Sequence, residues 1–152
     1  MALPLPYGEA SAGDFDVRIL DDLALLVGRL CLAALFLPSG IGKLGNLAGF
    51  TGFLAGKGVP APQVLAPIAA ATEVIGPLLL IVGLFPRVTA VWLAGFTVVA
   101  TVVSHLFWTF PDAAAQAAQQ TQFLKNVGII GGLLIYFASG PGAISLGGKK
   151  AG

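Results

Sequence analysis

Residues 63–84 read QVLAPIAAATEVIGPLLLIVGL, an apolar run with a single carboxylate, Glu73, halfway along it. A bilayer core of about 30 Å takes about 20 helical residues, so this stretch is predicted to cross a membrane as a helix. Three more stretches read the same way. Residues 23–42, LALLVGRLCLAALFLPSGIG, carry a charge of the opposite sign, Arg29, and a proline, Pro38. Beyond the tight turn at Phe85-Pro86, a third span covers residues 88–106 and a fourth covers 122–139. The predicted fold is all-α: an integral membrane four-helix bundle over residues 23–140, between an acidic extramembrane N-terminal tail (1–22) and a basic C-terminal tail (141–152).

Composition agrees. Of 152 residues, 57% are hydrophobic and 10% charged, where a soluble domain carries about 25% charged; the mean hydropathy is +0.91. The net charge of +1 leaves no electrostatic footprint for nucleic acid, so the expected partner is the lipid bilayer. A single cysteine, Cys31, excludes an internal disulfide, a CxxC pair and a thiolate-held cluster. A single histidine, His105, excludes bis-histidine haem ligation, and no metal-ligand spacing is visible. The start of the chain is negative, with Glu9, Asp14, Asp16, Asp21 and Asp22 against Arg18, and so does not read as a secretory signal.

Two connectors have patterns of their own. In NLAGFTGFLAG (46–56), Leu47, Phe50 and Leu54 recur at helical spacing with Phe53 beside them. Eleven residues are too few to span, so a short helix in the interface plane is predicted between spans one and two. The second connector opens with His105, Leu106, Phe107, Trp108, Thr109 and Phe110, an aromatic group of the kind enriched at the lipid–water boundary. Thr109 is the predicted cap of a helix starting at Pro111, which carries the Ala- and Gln-rich stretch 112–122 into the fourth span. With four spans both tails share a side, and its Arg18, Arg87, Lys149 and Lys150 outnumber Lys43, Lys57 and Lys125 opposite. That bias predicts both termini on the cytoplasmic side.

Ionisable groups within spans are costly and raise a functional hypothesis by default. Arg29 lies about 9 Å into its span, and Glu73 about 15 Å into an antiparallel one, at 1.5 Å per residue. Those depths differ by about 6 Å, which a long side chain closes, so an Arg29–Glu73 pair is predicted. Its role is open between helix-to-helix glue and ligand or proton chemistry. A second group gathers at the face away from the tails: Lys43, His105, Trp108, Gln122, Lys125 and Asn126. Snorkelling explains a lone Lys43 but says less about His, Gln and Asn. Together with Arg29 and Glu73 these form the candidate ligand-binding set. A polar recess among apolar helices suits a small head group on an apolar tail; quinone carbonyls need such donors, and a small anion, a lipid head group or a partner protein fits as well. Smaller features are Gly40 and Gly42, placed for close backbone approach, and Cys31, read as a packing residue. Gly128, Gly131 and Gly132 form a small-residue face for packing within the bundle or for a homo-oligomer.

Arg29 followed by LCLAALFLPSGIGKL, then TEVIGPLLLIVGLFPR (72–87), the His105-x-Phe-Trp group, QFLKNVGIIGGLL (122–134) and GPGAISL (140–146) resemble, in order, the motifs of the DoxX family of small four-span bacterial membrane proteins. The resemblance covers about residues 23–146. It implies a bacterial inner-membrane location and an association with quinone-linked enzymes, since family members include subunits linked to a terminal quinol oxidase and to thiosulfate:quinone oxidoreductase. Arg29, Gly40, Lys43, Glu73, Gly83, His105, Lys125 and Asn126 match the family's recurring polar and glycine positions. The chain has no flavin motif, haem ligands or paired cysteines, so no covalently bound cofactor and no independent catalysis are expected of it. The leading reading is an accessory or quinone/small-anion-binding subunit working with a membrane redox enzyme. A scaffold or assembly subunit is the alternative, and a small-molecule or proton carrier ranks last.

Overall fold

The computed structural model describes the backbone of residues 12–147 and the side chains from Val17 to Gly147. Glu9, Lys149 and Lys150, and the side chains of Asp14, Phe15 and Asp16, lie outside the described residues. Five α-helices follow one another: α1 Ala12–Gly45, α2 Leu47–Gly56, α3 Pro62–Val82, α4 Pro86–Ser104 and α5 Ala113–Ser139, with a single 3-10 turn at Phe107–Thr109. Among the described residues there is no strand. Four of the helices, all but α2, are long and apolar enough to cross a membrane.

The distribution of side chains is inside out relative to a water-soluble bundle. Val27, Leu30, Val64, Ile68, Val91, Val99, Leu134 and Ile135 are exposed, while Arg29, Thr72, Glu73, Thr89, Thr97, Thr101 and Asn126 are buried. Lipid has no hydrogen bonds to offer, so polar groups turn inward and apolar ones outward. The apolar core between them is small: Phe36, Leu80, Ala90, Leu93, Ile129, Leu133 and Tyr136.

Around the bundle the order is α1, α3, α4, α5, and α1 touches α5 only lightly. α1 and α3 come closest at Gly40, where a β-carbon would sit 2.9 Å from the Glu73 backbone carbon. α3 meets α4 where Leu93 lies over Gly76. Of the small-residue face on α5, only Gly132 has a neighbour, Leu32 of α1; Gly128 and Gly131 face open space. Cys31 is exposed rather than packed, a correction to the sequence reading.

Several ends differ from expectation. α1 begins at Ala12, so the latter half of the acidic stretch forms its first turns. At 1.5 Å per residue, 34 residues make a helix of about 50 Å, longer than the bilayer core is thick. α5 is capped by Asp112, whose carboxylate accepts from Ala115 N at 2.7 Å. Thr109, the expected cap, donates instead to Leu106 O at 2.7 Å and closes the 3-10 turn. The interfacial helix is present as α2, capped by the side chain of Asn46 on Gly49 N.

The segment after α5 is strapped down. Asp22 accepts from Ala143 N at 2.7 Å, and Leu146 N donates to Val82 O at 2.8 Å. Residues 140–147 therefore fold back over the end of α3.

Candidate functional site

The two buried charges do not meet. The structure corrects the predicted Arg29–Glu73 pair: each finds another partner. Arg29, 1% exposed, donates through Nη1 to Ile81 O at 2.8 Å and Leu80 O at 3.4 Å, through Nη2 to Ile144 O, and through Nε to Leu25 O at 3.4 Å. The error lay in depth, because the helices are staggered. Arg29 lies level with Ile81, eight residues from Glu73, or about 12 Å along α3. Glu73 lies level with Gly40, three residues before Lys43 on α1.

The site is built around that second pair. Lys43 Nζ donates to Glu73 Oε1 at 2.5 Å, the lysine 27% and the glutamate 7% exposed. Lys43 sits in the last turn of α1, where a cation is favoured by the helix dipole. It also lies 4.9 Å from the centre of the Phe50 ring on α2. Glu73 Oε2 is buried and has no hydrogen-bond partner. A buried acceptor left without a donor is expensive, so this atom is a natural place for a ligand hydroxyl or a water.

The pair separates two spaces. On one side is a cavity of about 500 Å³ roofed by Phe50, Phe53 and Leu54 of α2, with walls of Leu65, Ile68 and Ala69 from α3 and Phe96, Val99 and Val103 from α4. Its polar end is Lys43, Thr72, Glu73, Ser104 and His105. On the other side is a polar cleft of about 150 Å³ among α1, α4 and α5, reached by Ser39, Thr97, Lys125 and Asn126 as well as by Lys43, Glu73, Ser104 and His105.

The remaining predicted residues divide between the cleft and its surroundings. His105 Nδ1 lies 2.7 Å from Gln119 Oε1; the amide oxygen only accepts, so Nδ1 carries the hydrogen and, in the neutral ring, Nε2 is an acceptor. Lys125 bonds to Gln122 at the exposed rim. Asn126 Nδ2 donates to Thr101 Oγ1 at 2.9 Å, and Thr101 in turn donates to Thr97 O at 2.6 Å. Trp108 stands apart: it is 57% exposed and packs edge-on against Phe107 and Phe123, outside both spaces. Arg29 lies at the other end of the bundle. Gln119, Ser39, Ser104 and Thr97 were missed by the sequence reading. The spacing of Gln119, Gln122 and Asn126, and of Thr97, Thr101 and Ser104, places each trio on one helix face and was the available signal. Among the described residues no group of His, Cys, Asp and Glu is placed to hold a metal.

The chain is similar to known inner membrane proteins. The family model DoxX matches residues 24–106. The chain is 33% identical over 132 residues to "Inner membrane protein YphA" of Escherichia coli (strain K12), covering 87% of this chain and 94% of that protein. It is 32% identical over 130 residues to "Inner membrane protein YqjF" of the same organism, covering 86% and 94%. No solved structure matches the chain.

Proposed function

The chain belongs to the DoxX family, and from that premise we propose that it is a bacterial inner-membrane subunit that binds a lipid-soluble quinone for a membrane redox system. The observation that carries this reading is the unpartnered Glu73 Oε2 at the polar end of an apolar cavity. The volume lies in the range of small-molecule sites, and such sites pair apolar walls with a few convergent polar groups. A quinone offers a carbonyl acceptor for Lys43 Nζ, and its reduced form offers hydroxyl donors to Glu73 Oε2 and to His105 Nε2. Its apolar tail suits the wall of Leu65, Ile68, Val99 and Val103. When bound, a quinone carries electrons and protons between its carbonyl and hydroxyl forms; the chain's part is to orient the head group and exclude lipid from it. A small anion is a poorer match, because the Glu73 carboxylate faces the same space.

The test is lipid-extract mass spectrometry of protein purified gently from native membranes, beside Lys43→Met and Glu73→Leu. We expect a stoichiometric quinone in the parent and its loss from both variants, each still monodisperse and cooperatively unfolding. If no quinone co-purifies and an added short-chain quinone does not bind, the subunit is a scaffold, and cross-linking in native membranes becomes the route to its partner.

A further inference from the structure

Glu73 faces two compartments of opposite character. Lys43, Glu73, Ser104 and His105 belong to the linings of both. The apolar cavity alone is covered by α2, while the polar cleft alone is reached by α5 through Lys125 and Asn126. A volume of 150 Å³ has room for about five waters at roughly 30 Å³ each. Ser39, Thr97, Asn126 and Ser104 give them partners, and polar lining at membrane depth is tolerated where it meets water. The cleft lies where α1 and α5 touch lightly, and Lys125 and Gln122 mark its rim at the end of the bundle away from the chain termini.

We propose that this cleft is a one-sided proton route to Glu73: water held between α1, α4 and α5 exchanges protons with Oε2 from the face that carries Lys125. In the exchange a hydronium O–H bond breaks, its electron pair stays on the water oxygen, and an Oε2–H bond forms; release is the reverse. The charged and titratable groups facing Glu73 are Lys43 from α1, His105 at the end of α4 and Lys125 from α5. α2 carries none, and α3 carries no other. Nε2 of His105, the ring nitrogen left free by Gln119, is the side-chain relay along the route. The route concerns the same carboxylate as the quinone reading but needs no occupant in the apolar cavity.

The experiment is infrared difference spectroscopy of the Glu73 carboxyl in proteoliposomes of one orientation, with pH stepped separately on each side. Glu73→Gln assigns the band. The band is expected to follow pH on the Lys125 face alone. Asn126→Leu and Ser39→Leu fill the cleft without touching the Lys43–Glu73 pair, and each should slow the response roughly a hundredfold. Thermal unfolding identifies a variant that has lost its fold, and the sidedness measurement on the parent does not depend on either substitution. A band that follows the opposite face, that follows neither, or that responds as fast in both folded variants as in the parent overturns the proposal. A parent that binds no quinone but shows the one-sided response sinks the quinone reading and leaves the route standing.

Discussion

Arg29 shows what an arginine does inside a membrane when no carboxylate is at hand. The last four carbonyls of α3 need donors, since lipid supplies none. Leu79 O receives Leu84 N, Leu80 O receives Gly83 N, and Val82 O receives Leu146 N, which leaves Ile81 O to the Arg29 guanidinium. Gly83 makes this closure possible with φ of 70°, the left-handed conformation that ends helices. Replacing Arg29 by Met removes donors from Ile81 O and Ile144 O and should cost about 3 kcal/mol. Denaturation in detergent micelles measures it, and Arg29→Lys should recover only part, because an ammonium lacks the planar fork. At Gly83 a β-carbon would lie 2.5 Å from Ser145 Cβ and 2.8 Å from Arg29 Nη1. Gly83→Ala should therefore cost about 2 kcal/mol or more and speed proteolytic cleavage within residues 140–147.

The Lys43–Glu73 pair calls for a different experiment at the same scale. Removing one partner strands the other in a low-dielectric site, so Lys43→Met and Glu73→Gln should each destabilise by about 3 kcal/mol. The double variant should lose much less than the sum of the two. A double-mutant cycle reporting no coupling would refute the pairing.

At the scale of the element, α5 and α2 each owe their start to one side chain. Asp112→Ala should cost about 1 kcal/mol, with the loss confined to the first turns of α5 and visible as faster amide exchange there. α1 and α3 depend on close approach instead. Gly40→Ala should part the two helices near Glu73, lengthen the Lys43–Glu73 bond and weaken quinone-analogue binding more than it lowers global stability. The hydrophobic runs made all four spans legible, because lipid imposes a minimum apolar length that few other environments require. The interfacial helix was legible too, from the spacing of Leu47, Phe50 and Leu54. The caps were less so: Thr109 and Asp112 both suit a helix start, and only the path of the chain through the 3-10 turn decides between them.

At the scale of the whole molecule the two polar centres are independent. One joins Arg29 to the end of α3 and the 140–147 strap; the other joins Lys43, Glu73 and His105 beneath α2. No side chain belongs to both. An Arg29→Met and Glu73→Gln double variant should thus show additive losses within about 0.5 kcal/mol. Interaction beyond that in unfolding measurements would mean that the strap and the ion pair are coupled through α3.

Length, apolarity and the rarity of charge were enough to establish a four-span membrane bundle, since burial in lipid is a property of each segment taken alone. They also singled out Arg29 and Glu73, because a charge that persists in such a segment must have a partner. Which partner it has depends on the stagger between α1 and α3, and that stagger goes with the close approach of the two backbones at Gly40. A shift of eight residues along α3 moves a side chain by about 12 Å, farther than any arginine reaches. Tertiary packing alone therefore turned Arg29 into the cap of α3 and gave Glu73 to Lys43, on the wall between an apolar cavity and a polar cleft.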